Sequence, residues 1–123
     1  MQNGFSAYAA AAKSAQSTVS PRELEANLLI KAATRLQTVA DDWQNRANEL
    51  DEVLTYNRRL WTLLVSSVIA EDNPLPVGIK TNILALANFI FNHTFMIAAD
   101  PQPQRLGVLV TINRDIAAGL RGR

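Results

Sequence analysis

Proline and glycine are sparse in this chain and fall where element boundaries would be expected, while the stretches between them repeat apolar residues at spacings of three and four. That spacing puts the apolar side chains on one face of a helix, and no stretch alternates with the period of two that a half-buried strand requires. An all-α fold follows. Short connections between long amphipathic helices imply antiparallel neighbours, so the expected architecture is an antiparallel bundle of four main helices plus a short N-terminal Ala-rich helix. Its 123 residues are the length of one domain. Residues 20–123 are read as the bundle, and residues 1–19 as a helix and linker that is either marginal or mobile until it docks.

Each boundary has a local reason. Ser6 to Gln16 is rich in alanine, the best helix former, yet offers little bulk to bury beyond Phe5 and Tyr8. Ser20-Pro21-Arg22-Glu23 combines a serine cap, proline at the first helical position and a glutamate placed for a capping box. The stripe Leu24, Leu28, Ala32, Leu36, Val39, Trp43 and Ala47 then predicts a helix ending near Asn45 to Asn48. A second helix is expected from about Asp51 through Leu54, Trp61, Leu64, Val65 and Val68 to about Ala70. Pro74 and Pro76 make the connection after it stiff. The third helix carries Ile79, Ile83, Leu86, Ile90 and Ile97, widened by Phe89, Phe91 and Phe95, and is expected to be the most buried. Asp100-Pro101 repeats the cap-then-proline pattern before a last helix with Leu106, Leu109, Val110, Asn113, Ile116 and Leu120 on one side.

Composition narrows the function classes. Without cysteine, a zinc-thiolate site, a thiol nucleophile and a disulfide framework are excluded. A net charge of +1 gives no general pull toward phosphate backbones. Met1 to Phe5 lack a basic n-region, and the apolar run Ile83 to Phe91 is interrupted by Asn88 and far short of a membrane span. A soluble, cytoplasmic protein without membrane insertion is expected.

Little in the chain suggests catalysis. The single histidine, His93, has helical spacing from Leu86, Ile90 and Ile97 and no nearby ligand set, so it reads as a core residue. Asp41-Asp42, Asp51-Glu52 and Glu71-Asp72 all sit at predicted helix ends, where the helix dipole and solvent account for them. No phosphate loop, nucleophile elbow or dinucleotide fingerprint is present. The expectation is a non-enzyme with no cofactor and no metal.

Two polar residues break the apolar stripes. Asn57 lies on the side defined by Leu54, Trp61 and Leu64, and a buried amide there needs partners. Asn113 interrupts the last stripe in the same way. If their helices are neighbours, Asn57 and Asn113 form a polar layer that aligns the bundle. Arg58 and Arg59 point away from it and, as rigid bidentate donors, suit carboxylates of a protein partner or phosphates of RNA; arginines that are merely solvated would look the same. Trp43 and Trp61 read as core anchors.

Ser20-Pro21-Arg22-Glu23-Leu24-Glu25-Ala26, Tyr56-Asn57-Arg58-Arg59-Leu60-Trp61, Asp72-Asn73-Pro74-Leu75-Pro76 and Ile112-Asn113-Arg114-Asp115-Ile116-Ala117-Ala118-Gly119-Leu120 occur in that order. Together they resemble the FlaF family of alphaproteobacterial flagellar biosynthesis regulators over nearly the whole chain. The resemblance implies a cytoplasmic flagellin-directed adaptor or secretion chaperone that promotes flagellin synthesis and export. Its implied partners are flagellin, through a terminal helical segment, and the translational regulator FlbT. The matching residues most open to partner binding are Asn57, Arg58, Arg59, Trp61, Pro74, Pro76, Asn113 and Arg114. An alternative is an RNA-linked regulator acting on flagellin messenger RNA through Arg58, Arg59, Arg105 and Arg114. Near-zero net charge and aromatics on core stripes favour the first, and oligomeric state is left open.

Overall fold

The structure, a computed structural model, describes residues 20–122, so the Ala-rich helix expected before Ser20 and its linker lie outside the described residues. Four long helices follow in order: α1 (Pro21–Asp41), α2 (Leu50–Ile69), α3 (Val77–Ala99) and α4 (Gly107–Leu120). No strand occurs among the described residues, and the helices form the expected all-α bundle. One-turn helix Trp43–Arg46 and the 3-10 turn Ala47–Glu49 join α1 to α2, and a 3-10 turn over Pro103–Leu106 leads into α4.

Ser20 caps α1 by accepting the Glu23 N–H at 3.1 Å, with proline at the first turn. The carboxylate of Glu23 turns to Arg121 at 2.9 Å rather than back to the cap, and Arg121 also donates to Asn27. The end of α4 is thereby fixed beside the start of α1, which makes these two helices antiparallel. They form the most extensive helix pair. Ala26, Ala32 and Ala33 are fully buried on α1 along with Leu29, Leu36 and Val39. Alanines at a contact let helix axes approach closely. The buried stripe keeps the expected Ala32, Leu36 and Val39 but is rotated in its first turns, where Leu24 and Leu28 are only half-buried and Leu29 is fully enclosed.

Helix α1 ends earlier than expected. The backbone leaves helical geometry at Asp42 (φ −126°, ψ 47°) and again at Arg46 (φ −121°, ψ 5°). A local polar cluster holds the break: Asn45 donates to Asp42 at 2.9 Å, and Arg46 pairs with Asp42 at 3.4 Å and Glu49 at 3.2 Å. Trp43 is half-buried against the core, and Ala47 is exposed. Asp100-Pro101 does not open a helix either. Gln102 is extended, and the 3-10 turn begins at Pro103. Asp100 instead holds Arg105 at 3.1 Å.

Between α2 and α3, Asn73 donates to the Ser67 carbonyl at 2.9 Å and accepts from the Leu75 N–H at 3.0 Å. Pro74 and Pro76 are exposed on either side of Leu75, which is buried. The two rings fix the chain while Leu75 plugs it to the core.

Helix α3 is not the most buried element. It packs mainly on α2 and only sparsely on α4. One partner covers one stripe of a helix. The stripe is Ile83, Ala87, Ile90, Thr94 and Ile97, while Phe95 is 77% exposed, Met96 54% and Phe89 43%. High hydropathy along this segment therefore reflects an uncovered face as well as a buried one. Replacing Ile90 with alanine should lower unfolding free energy by about 2–5 kcal/mol in urea titrations. Phe95→Ala should change it by no more than about 0.5 kcal/mol.

Candidate functional site

Asn57, Trp61 and Asn113 meet in the core, each 0% exposed. An indole N–H can only donate, so Trp61 Nε1 presenting to Asn113 Oδ1 at 2.9 Å fixes the orientation of that amide. Asn113 then points both N–H groups away: one to Asn57 Oδ1 at 2.7 Å and one to the Leu29 carbonyl at 3.3 Å. Accepting at Oδ1 leaves Asn57 Nδ2 buried with no partner among the described residues. The expected polar layer is thus present and extends further than anticipated, because Trp61 and the α1 backbone join it. It ties α1, α2 and α4 at one level.

Burial changes what these three residues can do. Asn57, Trp61 and Asn113 were candidates for partner contact, but a molecule docking on the surface reaches none of them. They set helix register. Arg58, Arg59 and Arg114 are exposed, as are Pro74 and Pro76. Among the described residues, none of these arginine side chains is held by an ion pair or hydrogen bond. Arg105, by contrast, is held by both the Asp100 carboxylate and, at 3.1 Å, the Asp100 carbonyl.

Other polar contacts are also structural. His93 Nε2 lies 2.9 Å from the Arg105 carbonyl, which can only accept, so that nitrogen carries the proton. The ring stacks on Phe89 with centroids 5.2 Å apart. His93 therefore anchors α3 to the turn preceding α4. Arg35 lies over the Tyr56 ring, 4.6 Å from its centroid. Burial pushes the Tyr56 hydroxyl pKa above its ordinary value, and Arg35 opposes that shift.

The accessible feature is apolar. An open groove of about 260 Å³ runs between the first half of α3 and the second half of α4, walled by Ile79, Ile83, Leu86, Ile112, Ile116 and Leu120. Asn82 and Asp115 line it too. Beside it, α3 shows Leu84, Phe89, Phe95 and Met96 to solvent, and Lys80 is its only Lys, Arg, Asp or Glu. By length and mean hydropathy (1.3 over its most apolar window) α3 could cross a membrane, although 28% of that window is buried in the bundle. Sequence reasoning missed this face because it assigned the aromatics to the core. The signal was the near absence of charge around the whole helix, which here marks exposed surface.

The polar layer makes an ordered prediction. Asn113→Ala strands the Trp61 indole and the Asn57 carbonyl oxygen together, and should cost about 2–4 kcal/mol of stability. Asn57→Ala removes one acceptor and an already unpaired donor, and should cost about 1–2 kcal/mol. Denaturant titration gives the ranking, and the Trp61 indole proton should shift markedly in the first variant.

Compared with known protein families, residues 5–120 match the model described as Flagellar protein FlaF. No curated protein and no solved structure matches.

Proposed function

The chain belongs to the FlaF family of flagellar proteins, matching over nearly its whole length, and from that premise we propose that it is a cytoplasmic flagellin-binding adaptor or secretion chaperone. On this reading it promotes flagellin synthesis and export together with FlbT, and it performs no catalysis. The observation that supports the reading best is the set of exposed apolar side chains on α3, Phe89 and Met96 on one flank of its buried stripe and Leu84 and Phe95 on the other. Flagellin subunits must be kept from polymerising before export, and their terminal segments are amphipathic helices. Such a helix binds by laying its apolar stripe on a complementary apolar surface. Phe89, Phe95 and Met96 supply anchors, each worth about 1.5–3 kcal/mol when fully buried. The groove toward α4 has room for a few aliphatic side chains beside them. Exposed Arg58, Arg59 and Arg114 are suited to a polar rim facing carboxylates of flagellin or FlbT.

A lipid surface fits α3 less well. Crossing a membrane would strip Ile83, Ile90 and Ile97 from α2 and carry Lys80, Asn82, Asn88, Asn92 and His93 into hydrocarbon, where polar groups are costly. RNA is also a weaker client, because Arg105 is engaged and the net charge is only +1.

Co-purification with full-length flagellin and with flagellin lacking its terminal helices tests the proposal. Binding should require the terminal helices. Phe95→Glu and Met96→Glu should each weaken it at least about tenfold while leaving Tm essentially unchanged, since both side chains are exposed. Equal binding to truncated flagellin would refute the terminal-helix mode. Association with flagellin messenger RNA that falls steeply with salt would instead establish the RNA reading.

A further inference from the structure

One flank of α3 carries a second periodicity beside its buried stripe. Val77, Thr81, Leu84, Asn88, Phe91 and Phe95 follow one another at alternating steps of four and three, the seven-residue repeat that keeps a seam facing a neighbouring helix. All are exposed except the half-buried Phe91, and Val77 and Phe95 reach 78% and 77% exposure. Phe89, Met96 and the groove toward α4 lie on the opposite flank. No charged residue falls in the seam. Its one amide, Asn88, stands at the middle of the helix Val77–Ala99. A lone asparagine at such a position costs stability and in return fixes register.

The placement of Asn88 makes the seam self-complementary. A two-fold axis through Asn88, perpendicular to α3, sets a second copy of the helix antiparallel to the first. Thr81 then meets Phe95, Leu84 meets Phe91, and Val77 meets Ala98. Each carboxamide has a donor side and an acceptor side, so the two Asn88 side chains can bond reciprocally on the axis. Charge follows the same symmetry. Lys80 stands near the start of the seam, and α2 runs back from the Leu75 connection, so Asp51 in its first turn lies beside the last turns of α3. The antiparallel arrangement brings Lys80 of each copy toward Asp51 of the other, whereas a parallel one brings the two Lys80 side chains together. Neither Lys80 nor Asp51 has an ion-pair partner among the described residues. We propose that the occupant of this flank is a second copy of the chain, joined through α3 as an antiparallel two-fold pair centred on Asn88. The contact is confined to one helix and includes Thr81 and Asn88, so it is weak, with a Kd of about 10–100 μM. Thermal melts at low micromolar concentration therefore report the single chain. Phe95 is common to this seam and to the surface proposed for the client, so a client helix that covers it displaces the second copy.

The pairing is tested on the full chain without flagellin, so its failure leaves the client proposal standing. Sedimentation equilibrium should show a reversible dimer. Leu84→Glu and Phe95→Glu should each weaken it at least about tenfold with helicity unchanged, whereas Met96→Glu, on the opposite flank, should not. A chain that stays monomeric at millimolar concentration, or a dimer that survives both seam substitutions, would overturn the proposal. Orientation is read separately. The chain has no cysteine, and a Cβ at Gly78 meets nothing within 4 Å, so Gly78→Cys accepts a single spin label. Gly78 precedes Asn88 by ten residues, and at a rise of about 1.5 Å per residue the two labels of an antiparallel pair stand about 30 Å apart or more. A separation of about 25 Å or less would show a parallel pair and sink the arrangement about Asn88.

Discussion

The bundle depends on a directional constraint at its centre: an indole that can only donate. Trp61 dictates which way the Asn113 amide faces, and Asn113 in turn dictates Asn57. Aliphatic packing alone tolerates many registers of similar free energy, since it rewards buried area with little directionality. A chain of buried hydrogen bonds does not, because a shift by one turn leaves several of them unmade. The second Asn113 donor reaches the Leu29 carbonyl, so the same side chain that orders α2 against α4 also fixes the level of α1. Among the described residues Asn57 Nδ2 finds no acceptor, and that is the cost of this arrangement.

Helix α3 lies outside that constraint, and its character follows. It contributes no hydrogen bond to the central layer and is held by a narrow aliphatic stripe on α2, by His93 at the Arg105 carbonyl and by Leu75 with its flanking prolines. With register already set by the other three helices, α3 has no need of polar outward residues to specify its own orientation. Its free surface carries Leu84, Phe89, Phe95 and Met96 among uncharged Thr81, Asn88 and Asn92. These are the side chains that the proposed client helix would cover.

Where the fold was legible in the sequence, a side chain carried its own geometric consequence. Ser20 and Pro21 announced a helix start because hydroxyl capping and a fixed φ work locally. Asn57 and Asn113 announced a polar layer because a lone amide within an apolar stripe has to find a partner. The start of α2 was legible from Asp51 and Glu52, which stand in its first turn, but the early end of α1 at Asp41 was not. No proline or glycine separates Pro21 from Pro74, and the interruption at Asp42 and Arg46 is made by polar contacts among Asp42, Asn45, Arg46 and Glu49 that a helix could also have carried on its surface. The exposure of Phe89, Phe95 and Met96 was hidden for a different reason. Period and hydropathy report which residues avoid water, whereas burial depends on how many neighbours a helix has, and that number is set by topology.

The same distinction explains why the candidate site residues divided as they did. Asn57, Trp61 and Asn113 share their sequence segments with Arg58, Arg59 and Arg114, yet adjacent helix positions differ by about 100° and so face opposite environments. A motif such as Tyr56-Asn57-Arg58-Arg59-Leu60-Trp61 therefore carries two kinds of information at once. Its inward residues specify how three helices meet, and its outward arginines are free of that task. Selection on the fold alone would preserve the first set and leave the second to vary. A functional role for Arg58 and Arg59 must accordingly be established at the surface, with the inward positions left intact.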